Sequence, residues 1–229
     1  MREAANREVK ILLTDRLVAA KPCLSLLKQT FMGRTSTAKE RLIEAVLELI
    51  WTGSYGSTSV DQICERAGVK KGSFYHFFES KIELAVTAID HGWTEHRKKL
   101  DQTFSPVVPP LDRIWQCFRD FTDEQRELQA KHGRVLGCPI HTLGAEISTV
   151  DEKLRQKLQD ILSQFVCYYE SAIRDAHAQG VIQAPDAPAL ARILFAYGEG
   201  LLAQARIWND ITHLDSMEVG ARLILGVKS

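Results

Sequence analysis

The sequence has no Cys-x-x-Cys pair and no cysteine–histidine set at zinc spacing. Its five cysteines stand alone at positions 23, 64, 117, 138 and 167. An odd, scattered set in a chain this long gives no disulfide framework and reads as reduced thiols of a cytoplasmic protein. Neither charge sign is in excess: 29 Lys and Arg balance 29 Asp and Glu. A general polycation that coats nucleic acid is thereby excluded, but a local basic patch is not. Long apolar runs are missing too. Val9 to Phe31 leans apolar, yet Lys10, Asp15, Arg16, Lys21 and Pro22 interrupt it, so it neither spans a membrane nor supplies a signal-peptide core. Gly-x-Ser-x-Gly, His-Glu-x-x-His, the P-loop and Gly-x-Gly-x-x-Gly are all absent. Ser25-Leu-Leu-Lys28 has Ser-x-x-Lys spacing without any partner motif, and the seven histidines are scattered. No metal set or cofactor motif is expected. No strand-like alternation, repeat or low-complexity tract occurs either.

What remains is helical. Apolar residues make up 45% of the chain, enough for a substantial core. Residues 1–32 read as an extension: weakly ordered, translated from upstream of a true start at Met32, or an arm that contacts DNA. A first helix is expected over about Thr37 to Thr52, with Leu42, Ile43, Val46, Leu49 and Ile50 on one face. Ser80, followed three residues later by Glu83, caps a long helix that runs to about Thr103. Ser105-Pro106-Val107-Val108-Pro109-Pro110 ends that helix, because proline cannot continue one. Further helices are expected over Leu111 to about Lys131, after Pro139, over Val150 to about Gln179, Ala189 to Trp208, and Ser216 to about Gly226. The expected fold is all-α: a three-helix head at 33–103 with its linker helix, then a larger helical domain at 104–229.

The most informative stretch is Ser57 to Lys81. Thr58 has N-cap chemistry, with Asp61 three residues on. Val60, Ile63, Cys64 and Ala67 form an apolar stripe, and Gly68 is placed to end that helix in a left-handed conformation. A short second helix then carries Lys70, Lys71, Gly72, Ser73, Phe74, Tyr75 and His76. Helix, glycine turn and short basic helix is the helix-turn-helix plan, whose second helix enters the major groove of DNA. Thr-Ser-Val-Asp-Gln-Ile, Ala-Gly-Val-Lys-Lys-Gly and Ser-Phe-Tyr-His-Phe-Phe-Glu-Ser-Lys together resemble the head of the TetR family of bacterial transcriptional repressors. The resemblance covers residues 37–97, with the motif at about 59–78. The rest of the chain matches only in length and helical layout. The resemblance implies phosphate contacts from Thr58, Tyr75, His76 and Lys81, and base contacts near Lys70, Lys71, Gly72 and Ser73. Phe74, Phe77 and Phe78 read as packing residues rather than base-stacking platforms.

In the second domain, Trp115, Phe118, Phe121, Phe165, Tyr169 and Tyr197 are spread over helices that should converge. An apolar pocket with a few polar groups is the usual form of a small-molecule site. His141, Glu146, Gln164, Glu199 and Arg206 are the polar candidates. Cys138, in Gly137-Cys138-Pro139, has two readings: a small buried residue, or a thiol activated by the adjacent helix N-terminus. In one branch of the resembled family a cysteine at such a place senses electrophiles or oxidants. The family's last two helices pair subunits, which implies a homodimer interface through Leu190, Leu194, Tyr197, Leu201, Met217, Ala221 and Ile224. Two heads then read a palindromic double-stranded operator. The expected function is a ligand-responsive repressor that takes a small apolar or electrophilic molecule and has no membrane partner. An adaptor controlled by a protein partner is the alternative, and a helical enzyme is a third.

Overall fold

The structure, a computed structural model, describes residues 37–227. The extension at 1–32 and its Ser-x-x-Lys segment lie outside them. Nine α-helices and one 3-10 helix follow in order among the described residues. The head consists of α1 (Ala38–Thr52), α2 (Val60–Ala67) and α3 (Lys71–Phe77). Thr37 caps α1 in a reciprocal box with Glu40. The cap of α2 departs from expectation by one residue: Ser59 holds that position and closes its box with Gln62. Thr58 instead turns inward and donates its hydroxyl to the Ser54 carbonyl at 2.6 Å. Gly68 ends α2 at φ +63°, which a side chain would strain. Leu42, Val46, Ile63, Ala67 and Phe74 are buried together as the periodicity requires, with Leu49 and Val69 packed against them.

The long helix α4 (Lys81–Thr103) starts at its Ser80 cap and leads out of the head. The body comprises α5 (Pro110–His132), α6 (Pro139–Ile147), α7 (Glu152–Ala178), α8 (Ala187–Trp208), a 3-10 turn (Ile211–Ser216) and α9 (Met217–Ile224). The expected last helix corresponds to α9, and the 3-10 turn ahead of it was not expected. Arg113 clamps the Pro-rich connection. Buried, it donates to the Val108 and Pro106 carbonyls and pairs with Asp175 of α7 at 2.6 Å. One apolar cluster runs from Leu42 of the head to Leu225, the residue that ends α9, so head and body share a core.

Candidate nucleic-acid interface and ligand chamber

The short helix α3 places its chemistry on the surface. Lys70, its N-cap residue, and Lys71, Gly72, Tyr75 and His76 are exposed, and Ser73 is half-buried. Tyr75 is 56% exposed, unusual for a large aromatic ring with no external partner. Phe74 below it is fully buried and Phe78 nearly so, which fixes the helix to the head. Lys71 pairs with Asp61 of α2 at 2.8 Å. Such an exposed pair is held weakly and yields readily to a phosphate. These cations and hydroxyls, on a helix short enough to enter a major groove, are suited to phosphates and base edges.

Two of the expected DNA contacts are engaged within the head itself. Thr58 is buried and its hydroxyl is spent on Ser54. Lys81 points inward. Its Nζ donates to the Tyr55 and Thr58 carbonyls at 2.9 and 2.8 Å and lies 4.0 Å from the centre of the Tyr55 ring. Burial lowers the Lys81 pKa, with Glu146 opposing the shift. The lysine therefore joins the start of α4 to the base of α2 rather than offering a free cation.

A chamber with about 760 Å³ of empty space, its mouth included, lies at the junction of head and body. Ile89, Trp93 and His96 of α4, Phe121 of α5, Phe165 of α7 and Leu202 of α8 form its apolar walls, with Gly137, Cys138 and Leu143 on one side. Leu47, Ile50 and Trp51 of the head complete it. Buried His96 has its pKa pushed down to about 4, by burial first and Lys99 second, so it is a neutral ring at pH 7.

Of the expected pocket residues, Phe121, Cys138 and Phe165 line this chamber and the others do not. Phe118 and Tyr169 pack against each other in the adjoining layer, at 5.8 Å between ring centres, and the Tyr169 hydroxyl meets the Cys117 sulfur. Trp115 lies under the Arg222 guanidinium of α9. Tyr197 turns away, donating to the Ser216 carbonyl at 2.8 Å. His141 is exposed beside the chamber, with Nδ1 3.6 Å from the Glu199 carboxylate. Aromatic content alone could not separate these positions, because helix packing rather than residue type decides which ring faces a void. Leu47, Ile50 and Trp51 escaped the sequence reading because they belong to the head, where a pocket was not expected.

Cys138 caps α6, its sulfur accepting the His141 N–H at 3.4 Å. Of the two readings of Cys138, burial opposes the one in which the helix N-terminus activates the thiol. Burial and then the neighbouring Glu199 carboxylate push the thiol well above its ordinary pKa, outweighing the backbone N–H groups that lower it. Glu199 is itself buried. Its carboxyl is raised to about 7 by burial, against a smaller opposing hydrogen bond from Cys138. Among the described residues, its Oε2 has no hydrogen-bond partner.

The residues expected at a subunit interface are mostly turned into the protomer. Leu194, Met217 and Ala221 are buried in the protomer's own core, and Leu190, Tyr197, Leu201 and Ile224 are partly so. The apolar side chains left outside on α8 and α9 are Ile193, Ile207, Trp208, Val219 and Leu223. Among the described residues, no helix is long and apolar enough to cross a membrane.

A helix-turn-helix head presenting a basic recognition helix, fused to a helical body with an internal chamber, defines a DNA-binding regulator. Residues 42–88 match the model for bacterial regulatory proteins of the tetR family, and residues 110–219 match the tetracyclin repressor-like C-terminal domain. The transcriptional regulator AcuR of Cereibacter sphaeroides is 33% identical over 174 residues, 75% of this chain and 78% of that protein. A TetR regulatory protein structure from Rhodobacter sphaeroides superposes with a TM-score of 0.72 at 31% identity, covering 84% of this chain and 99% of that one. The reduced form of NemR from E. coli has the same fold, with a TM-score of 0.72 at 21% identity over 83% of this chain and 99% of that one. The chain belongs to the TetR family, and it is a sequence-specific DNA-binding transcriptional regulator.

Proposed function

We propose that the protein is a homodimeric, cytoplasmic repressor that holds a palindromic operator through two α3 helices and releases it when a small apolar molecule enters the chamber. The observation that carries this reading is the chamber itself: an apolar space with few polar groups, shared by the helices that support the recognition helix. The outward apolar residues of α8 and α9 supply a surface for a second copy. A dimer sets two heads about one helical turn, roughly 34 Å, apart on DNA. Lys70, Lys71, Gly72, Ser73, Tyr75 and His76 carry the DNA contacts in this reading.

The thiol at the chamber wall suggests an electrophile as one ligand class. Cys138 adds to the β-carbon of an α,β-unsaturated carbonyl compound, forming the C–S bond as the carbon–carbon double bond opens. Glu199 in its carboxylate form accepts the thiol proton and returns it to the α-carbon, so the product is a thioether and Glu199 is regenerated. The buried carboxyl is suited to this because it exchanges its proton near neutral pH.

The test is a footprint on DNA flanking the protein's own gene, with and without a panel of small apolar and unsaturated compounds. The expected result is a two-fold symmetric footprint that one compound removes. Because ligand and DNA affinities are linked, operator DNA must weaken that compound's binding by the same factor. A compound that binds alongside DNA with no mutual effect overturns the reading.

A further inference from the structure

We infer that Trp51, carried by the DNA-binding head, is a contact residue of the ligand chamber, and that an occupant acts on the head directly through it. This rests on the reading of the chamber as the ligand site and goes beyond it in assigning the route of the signal. The long helix α4 is then not the sole connection.

The geometry at Trp51 supports the route at each step. Its ring closes one wall of the chamber and also packs with Leu128 of α5 and Leu136 of the loop after it. Its Nε1–H donates to the Gly137 carbonyl at 3.0 Å, one residue before Cys138. That loop is rigidly held, because Gln125 accepts the Leu136 and Gly137 N–H groups at 3.1 and 2.7 Å and donates back to the Gly137 carbonyl at 3.3 Å. Gly137 sits at φ +66°, and a Cβ there would lie 3.3 Å from the Leu202 carbonyl, so the loop has little room to move aside.

Beyond Trp51 the chain leads straight to the DNA-binding elements. Arg206 of α8 holds the carbonyls of Trp51 and Gly53 at 3.3 and 3.4 Å. Glu146 of α6 accepts the Tyr55 and Gly56 N–H groups at 2.9 and 2.6 Å. Lys81 then bonds the Tyr55 and Thr58 carbonyls immediately before the Ser59 cap of α2. The end of α1 is thus fastened to the body by hydrogen bonds from side chains of α6 and α8. The joint has the discrete, directional bonds that a two-position element requires, and a ligand biases it only by favouring one position.

The experiment uses the full-length protein, an operator duplex selected from a random pool with the wild type, and Nile red, a neutral apolar dye whose emission rises in dry surroundings. Operator affinity is measured with and without saturating dye, and each protein is compared with itself. In the wild type the dye weakens operator binding, by a factor in the usual allosteric range of roughly 5 to 150. Trp51→Phe keeps a ring in the wall but deletes the N–H bond to Gly137, and its ratio falls to within about twofold of unity while the dye still binds. Glu146→Gln loosens the same joint outside the chamber and lowers the ratio likewise, which keeps the test intact should Trp51→Phe fold poorly. A full dye effect in both variants assigns the signal to α4 and overturns the inference. So does a dye that binds the wild-type chamber without changing operator affinity. A dye that does not bind, or binds equally well after Leu143→Trp narrows the chamber, overturns the chamber reading itself and the inference with it.

Discussion

Replacing Glu199 by glutamine isolates the cost of keeping a carboxyl group in the apolar interior. The side chain is 7% exposed, and its pKa rises from 4.5 to about 7 because burial disfavours the charge. The unfolded chain therefore releases this proton near pH 4.5, whereas the folded protein keeps it until about pH 7. Between those values the native state binds more protons, so stability falls as pH rises and the loss is complete above the folded pKa. At about 1.4 kcal/mol per pH unit the whole loss is about 3 kcal/mol, most of it between pH 5 and pH 8. Glutamine keeps the shape without ionising. Urea denaturation of both proteins at several pH values and one fixed protein concentration measures this term, since titrating groups that do not touch Glu199 cancel in the difference. The glutamine variant is expected to gain about 2–3 kcal/mol on the wild type between pH 5 and pH 8, whatever its offset at acid pH. A difference that stays constant to within about 1 kcal/mol over that range would falsify the buried, proton-holding assignment of Glu199.

Other expectations bear on the remaining surfaces. Lys70→Ala and Tyr75→Ala weaken operator binding, and Lys70→Ala also reduces the steepness of its salt dependence if the lysine meets a phosphate; unchanged titrations from low to high salt would remove both residues from the interface. Lys81→Ala lowers thermal stability through the lost ties to Tyr55 and Thr58, and a variant with unchanged melting but weakened DNA binding would restore Lys81 as a direct contact. Leu223→Asp, at a side chain 78% exposed in the protomer, yields a folded monomer by sedimentation; a dimer at the same concentration would place the interface elsewhere. In a background where Cys23 and Cys167, the latter exposed, are replaced by serine, N-ethylmaleimide adds one mass increment that Cys138→Ser prevents, and its rate falls in Glu199→Gln, which cannot accept the thiol proton. A faster reaction in Glu199→Gln would mean that the carboxylate only suppresses the thiolate.

The head was legible because its signals are local. The stripe through Val60, Ile63, Cys64 and Ala67, the glycine at 68 and the aromatic run at 74–78 all act within a turn or two of the chain, so sequence spacing carries the geometry. Even there the start of α2 shifted from Thr58 to Ser59, since both residues have cap chemistry and only the inward bond to Ser54 separates them. Lys81 is a sharper case. Sequence supplies a cation at a helix start, and the carbonyls that capture it come from 23 and 26 residues away.

The body shows the same division. Its helices and their order follow from periodicity, proline and glycine, and the expectation that heads pair comes from the family resemblance. Which side of each helix meets which neighbour does not, because α8 carries apolar residues on both sides: Leu194 and Leu202 turn inward while Ile193 and Trp208 remain outside. The chamber depends on several helices at once, including one from the head, so no single segment encodes it. Sequence left Cys138 with two readings, a small buried residue or a thiol activated by its helix; the burial and the Glu199 carboxylate that raise its pKa come from packing against α8, 61 residues further along the chain. Sequence alone determined the class of protein, because helix-turn-helix chemistry is written in short-range spacing. Tertiary structure decided which residues line the chamber and how it meets the head, because a cavity and its electrostatics exist only where distant segments meet.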